Sequence, residues 1–344
     1  MKIGILTFHD GFNYGAFFQT YCLQSFLLQH GFDCQVINYK SLGFTKREYR
    51  VFLKLRRPIY SMRNVRKIVK FKKAHEKLRL TKRVFTQKGL SKLLFDGIII
   101  GSDEVWNFST RLIGYDPVYF SQGLQAERII SYGASFGSIK AGQSIPQQLK
   151  DALGRIAYIS VRDDNSAGIM RAISDKSVRV VLDPTFLVDL RSEAVLPREK
   201  GFILVYGAFS SEMARKIVEY ARFVGRKTIS VGYRLPWCDV SLDNLSPFQW
   251  LGYFATADCI ITTMFHGMIY SILNQKEFCM FITPYRQNKL GGFPSDIKLS
   301  DRVVDEDVSL KDVFSRKIDY SQVNSILQTK RGESAKFLLE ALQA

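Results

Sequence analysis

Apolar residues fall along this chain in short runs, each closed by glycine or a polar cluster and followed by a longer stretch at helical spacing. Residues 3–7 (IGILT) predict a strand, 8–16 a loop, 17–30 a helix that Gly31 stops, and 34–39 a second strand. That is a βαβ opening. Further apolar runs predict strands at 97–100, in RIISYGASFGS up to Gly133, at 158–161, and in VRVVLDPTFLV before Asp183. Ser166 is placed to cap the helix that follows Arg162, Asp163 and Asp164. Beyond Arg191 the chain turns polar, and a second series begins with FILVYGAF. It continues with a helix at 211–224, a strand at 227–231, a loop with Tyr233, Arg234 and Trp237, and a helix at 246–256. A strand–helix–strand unit over residues 257–282 then places His266 and Gly267 where a strand gives way to a helix. Two alternating series imply an α/β chain of two doubly wound sheets facing a cleft. The expected domains are 1–190, interrupted by a basic helical insertion at 46–92, then 191–325, with a C-terminal helix at 326–344 placed to pack back on the first domain.

Composition changes this picture little and charge changes it locally. The 344 residues are 46% hydrophobic and 24% charged, as in a soluble globular protein. The apolar start MKIGILTF is too short for a signal peptide, and no run approaches the roughly 18 apolar residues of a membrane span. Five widely spaced cysteines without a CxxC pair suggest neither a disulfide framework nor a metal site, so a reduced, cytoplasmic protein is expected. The net charge is +17, yet residues 46–92 alone hold 18 Lys or Arg against Glu48 and Glu76. There, basic residues interleave with apolar ones, which predicts one or two basic amphipathic helices broken near Pro58. The segment reads as a solvated insertion, as a surface for anionic lipid or a lipid-diphosphate acceptor through Arg56, Arg57, Lys72 and Lys73, or as a nucleic-acid arm. The absence of a known nucleic-acid module weighs against the last.

Chemistry gathers at predicted strand ends: Asn13, Tyr14 and Gly15; Ser102, Asp103 and Glu104; Arg162 and Asp163; His266 and Gly267. In open α/β sheets ligands bind at the carboxyl edge, and helix amino ends favour anions. An arginine, a histidine and glycine turns suit a small anionic ligand, with a carboxylate at hand for proton transfer. Plain structural roles compete: Asp103 as a cap, Arg162 paired with Asp163 or Asp183, Asn13 in a turn, His266 in a core. FHDGFNYGA is not GxGxxG, so a dinucleotide site is weakly indicated.

The segments MKIGILTF with NYGA, GSDEVWN, SYGASFG, ISVRDDNSA, VLDPTFL and TTMFHGMIYSILNQKEF, in this order, resemble the polysaccharide pyruvyl transferase family. Glu104 stands where many members carry Gln, and Met264 where Ser is commoner. The resemblance implies two Rossmann-like domains similar to glycosyltransferase-B enzymes, phosphoenolpyruvate as donor, and a sugar of a surface polysaccharide or lipid-linked oligosaccharide as acceptor, with no cofactor and no metal. It also implies donor-site roles for Arg162 and His266. Asn13, Tyr14, Gly15, Ser102 and Gly267 are expected to line the donor, and Asp103 or Glu104 to move a proton. Two other readings stand beside it: a nucleotide-sugar glycosyltransferase of the same architecture, and a non-catalytic basic binding protein.

Overall fold

The structure, a computed structural model, describes residues 1–53, 58–110, 114–282 and 290–344, and side chains within these except at 58–60. Arg56 and Arg57 lie outside the described residues. The chain divides into two compact units: residues 1–61, 73–188 and 328–344, and residues 62–72 and 189–327.

The first unit opens with β1 (Lys2–Leu6), α1 (Tyr14–Gln29) and β2 (Asp33–Val36). Helix α1 begins three residues earlier than its apolar spacing suggests. The exposed Asn13 side chain accepts from the amides of Gly15 and Ala16, at 2.9 and 3.3 Å, and so draws Tyr14 and Gly15 into the first turn. The basic segment forms α2 (Leu42–Phe52), capped by Ser41, and α3 (Pro58–His75), with Pro58 as its first residue. Two helices thus stand on either side of the break expected near Pro58, and the proline opens the second. A short α4 (Gln87–Leu90) leads to β3 (Phe95–Ile100), β4 (Ala126–Ser131), α5 (Gln147–Gly154), β5 (Ile159–Val161), α6 (Asp164–Ile173) and β6 (Val178–Val180).

The strands order as β2-β1-β3-β4, all parallel, and the parallel pair β5-β6 continues beside β4 through single bridges such as Ile130 to Tyr158. Sequence order reverses between β1 and β3, which makes their carboxyl ends the switch point of a doubly wound sheet. One core of Ile3, Ile5, Leu23, Leu27 and Ile99 is closed by Leu338, Ala341 and Leu342 from the C-terminal helix.

The second unit runs β7 (Phe202–Tyr206), α7 (Ser211–Val224), β8 (Lys227–Val231), β9 (Val240–Leu242), α8 (Pro247–Thr256), β10 (Cys259–Thr262), α9 (Phe265–Leu273) and β11 (Glu277–Phe281). A short α10 (Phe293–Asp296), β12 (Val303–Val304) and α11 (Leu310–Ser315) follow, and α12 (Tyr320–Gln343) returns to the first unit. The six strands are parallel in the order β12-β11-β10-β7-β8-β9, so the switch point here lies between β7 and β10. The central strands β7 and β10 are buried at every residue, as in a parallel sheet covered on both faces. The architecture is α/β with two Rossmann-like units. Among the described residues no helix is long and apolar enough to cross a membrane.

Candidate functional site

In the first unit Asp103, just past β3 at the switch point, meets Arg162, just past β5. Gly101, at φ 112°, ends β3 in a backbone region that a side chain resists, and a Cβ there would lie 2.6 Å from the Tyr132 carbonyl. Ser102 follows through a cis peptide bond. Its hydroxyl donates to Gly133 O at 3.0 Å, its amide donates to Gln19 Oε1 at 3.1 Å, and its carbonyl accepts from Thr7 Oγ1 at 2.9 Å. Gln19 in turn donates to Thr7 Oγ1. Ser102 is therefore buried framework tying β1, α1 and β3 together, a correction to the expectation that it lines the donor.

Asp103, next along, accepts from the Glu104 amide at 2.8 Å and faces Arg162 Nη2 at 3.4 Å. Arg162 Nη1 pairs with Asp183 at 3.2 Å, and Asp183 is fully buried while Asp103 keeps 18% of its side chain exposed. Burial alone would pull the guanidinium down, but Asp103, Asp183, Glu104 and Asp163 together outweigh it and hold Arg162 above its ordinary value. It is a fixed cation with one permanent and one accessible carboxylate partner.

Asp163, and not Ser166 as expected, caps α6, because its side chain reaches the Ser166 amide at 2.7 Å; it also accepts from Ser135 Oγ at 2.7 Å. Burial pushes its carboxyl up, against the pull of those hydrogen bonds. Glu104 accepts from Asn107 Nδ2 at 3.0 Å and lies over Gly137, where a Cβ would come within 2.4 Å of its carboxylate. Asn13 stands at the amino end of α1, whereas Tyr14 is only 2% exposed and belongs to the core; this corrects its placement beside a ligand.

The loop between β1 and α1 carries polar groups that periodicity missed. Lys40 is buried, forms an ion pair with Glu48, donates to the Asp10 carbonyl at 3.0 Å, and stands 4.7 Å over the Phe44 ring. His75 Nε2 contacts the His9 carbonyl at 2.7 Å, and Arg83 pairs with Asp10 at 2.8 Å. Lys40, Arg83 and His75 of α3 thus brace the loop ahead of Asn13, with Glu48 of α2 holding Lys40. Their alternation with apolar positions reads as surface, because a lysine bonded inside and one in water have the same sequence signature.

In the second unit His266 lies in the first turn of α9, partly exposed, with its ring 5.5 Å from that of Phe265. The turn before it is held by hydroxyls. Thr262 Oγ1 donates to Tyr206 O at 2.7 Å and accepts from the Met264 amide at 2.9 Å, while Thr263 Oγ1 accepts from the Ala208 amide at 3.2 Å. Gly207, at φ 138°, and Gly267 let these threonines in, since a Cβ on either would lie 2.1 Å from a threonine Oγ1. The place of the missing Gly267 side chain is therefore filled by Thr262. Tyr233 donates its hydroxyl to Met264 Sδ at 3.4 Å and meets Tyr206 edge-on.

Each unit thus presents a polar centre at its own switch point, one built on Arg162 and carboxylates, the other on His266 at a helix amino end. A fixed cation in the first and N–H groups at a helix amino end in the second have the chemistry that suits an anionic ligand. Among the described residues no group of three or more His, Cys, Asp or Glu is placed to hold a metal.

No curated protein sequence matches the chain. The fold is similar to that of the UDP-GlcNAc 2-epimerase of Methanocaldococcus jannaschii, with a TM-score of 0.53 and 13% identity over 100% of this chain and 99% of the other. It is likewise similar to an alpha-glucosyltransferase solved with UDP, with a TM-score of 0.51 and 11% identity over 98% and 95% of the two chains. At such identities the likeness establishes a glycosyltransferase-B-like fold and nothing about ligands. The model of the family described as polysaccharide pyruvyl transferase matches residues 13–283, a span that contains Arg162, His266 and the loops holding them, and the chain belongs to that family of transferases.

Proposed function

We propose that the protein transfers an enolpyruvyl-derived group from phosphoenolpyruvate to a sugar of a surface polysaccharide or lipid-linked oligosaccharide and closes it as a pyruvate ketal, working at the inner face of the membrane. The observation that carries this reading is the Arg162 centre, a buried guanidinium with Asp183 on one side and the partly exposed Asp103 on the other. Phosphoenolpyruvate brings a carboxylate and a phosphate. A planar cation suits either, and an incoming carboxylate would compete with Asp103 for Nη2 while Asp183 keeps the guanidinium in place.

In the reaction a proton adds to the enol methylene and leaves an oxocarbenium-like carbon. One sugar hydroxyl attacks that carbon and loses its proton to a base. The bond to the bridging oxygen then breaks, inorganic phosphate departs, and a second hydroxyl of the same sugar closes the ketal, returning a proton. Asp103 or Glu104 is the proton carrier, and His266, at the amino end of α9, holds the departing phosphate or protonates its bridging oxygen.

The test is release of phosphate from phosphoenolpyruvate with a panel of β-galactosides and mannosides. Release that depends on the sugar, yields a ketal by mass spectrometry, and is lost in His266→Ala at unchanged melting temperature supports the reading. A His266→Ala protein that melts early yet keeps its activity per folded molecule makes the histidine structural. Tight calorimetric binding of a nucleoside diphosphate, without phosphate release from phosphoenolpyruvate, would favour a nucleotide-sugar glycosyltransferase.

A further inference from the structure

Helix α3 has two apolar sides. At 3.6 residues per turn, Ile68, Phe71 and Ala74 share one side and are 6%, 0% and 5% exposed. Met62, Val65 and Val69, at i, i+3 and i+7, form a stripe on the opposite side and are 58%, 46% and 59% exposed. The buried side explains itself by packing. The exposed stripe does not, because a solvated helix face has no use for three apolar side chains in a row.

The residues around the stripe supply the missing term. By the same geometry Arg66 lies beside Met62, with Lys70 and Arg63 further round on that flank, and Lys72 lies beyond Val65 on the other. The helix Pro58–His75 contains no acidic residue. Lys67 is the exception that points inward: it is buried, with Asp243 opposing the burial that pushes its ammonium down to about 8. The outward basic residues therefore form a single-sign border around an apolar ridge.

We infer that this face of α3 docks on an anionic lipid surface. Basic flanks meet lipid phosphates while the ridge enters the boundary between head groups and acyl chains, and the lysine stems lie along apolar surface with their ammonium groups in water. A nucleic acid would satisfy the charges but leave Met62, Val65 and Val69 in water, whereas a bilayer satisfies both. The inference rests on the proposed lipid-linked acceptor only for the reason to visit a membrane, and it names the face that would do so.

Binding is measured by cosedimentation of the whole protein with vesicles of phosphatidylcholine alone or with phosphatidylglycerol, at low and high salt, beside binding to random duplex DNA. The parent should bind only the anionic vesicles, and less at high salt. Replacing Arg63, Arg66 and Lys70 by Gln should weaken partition on the order of a hundredfold at low salt. Met62→Gln with Val65→Gln and Val69→Gln should weaken it roughly tenfold with the charge unchanged. Circular dichroism and melting temperature check that both variants fold; if either fails to, Val69→Gln alone and Arg66→Gln alone replace them. Absence of vesicle binding by the parent, apolar variants that bind as the parent does, or tighter binding to DNA than to anionic vesicles would each overturn the inference. Phosphate release with a soluble acceptor is read on the same proteins. Failure of the parent there, with vesicle binding intact, defeats the proposed reaction and leaves the docking face standing. Loss in the variants alone would place α3 in the substrate site and overturn the docking role.

Discussion

At the scale of single residues, Arg162 decides most. Its guanidinium sets two N–H edges toward two carboxylates, of which Asp183 has no contact with water. Arg162→Ala removes the cation beside that buried carboxylate, which costs about 3–5 kcal/mol of stability. Arg162→Lys keeps a charge beside Asp183 but cannot serve two directions with one planar fork. The lysine variant should therefore melt well above the alanine variant. Its kcat/KM with phosphoenolpyruvate should nevertheless fall nearly as far, by roughly one to two decades per folded molecule, the loss of about 1.5–3 kcal/mol expected for a charge-assisted hydrogen bond. A lysine variant with parental kinetics would remove Arg162 from the donor site.

At the scale of elements, the joint between β10 and α9 shows how the fold holds His266. Thr262 is at once the last residue of β10, the donor to Tyr206 O and the acceptor for the Met264 amide. A Cβ at Gly267 would strike its hydroxyl at 2.1 Å and the Tyr206 ring at 3.0 Å, and neither neighbour can yield without giving up a hydrogen bond or its packing. Gly267→Ala should destabilise the protein by about 1–3 kcal/mol, the usual range for overpacking, and lower the denaturant midpoint. Thr262→Ala in the same chain should recover part of that loss. No recovery would show that the strain lies elsewhere on α9.

At the scale of the whole molecule, His9 and His75 make stability depend on acidity. Burial pushes His75 down to about 4, and His9 is lowered for the same reason, with Asp10 opposing and Lys40 assisting in both. Such groups bind their proton in the unfolded chain first. Stability that is full above the ordinary histidine value of 6.5 is therefore lost as pH falls, and the His75 contribution is exhausted near 4. At about 1.36 kcal/mol per unit of difference, His75 accounts for about 3 kcal/mol over that interval. Unfolding midpoints between pH 7 and 4 should fall less steeply in His75→Gln, which can still donate to the His9 carbonyl, while His9 keeps the residual slope. An unchanged slope would mean that His75 does not titrate across this range.

Strand runs such as 97–100 and 259–262 were legible because a sheet covered on both faces needs continuous apolar residues. The same runs placed Arg162, Asp103 and His266 at strand ends, and α7 and β8 follow their periodicity residue for residue. Partners were not legible. Whether Arg162 would face Asp163 or Asp183 depended on how the turns after β5 and β6 approach one another, and Asp163 went to the cap of α6 instead. Tyr14 looked like a ligand contact because exposure is not written in residue type, and it is core. The basic segment shows the same limit most plainly. Sequence spacing gave α2 and α3 two-sided patterns, but only the packed structure buried Lys40, Glu48 and His75 and left Met62, Val65 and Val69 in solvent. A hydrophobic pattern fixes which residues share a face of an element, whereas which face is covered depends on what other parts of the chain bring to it.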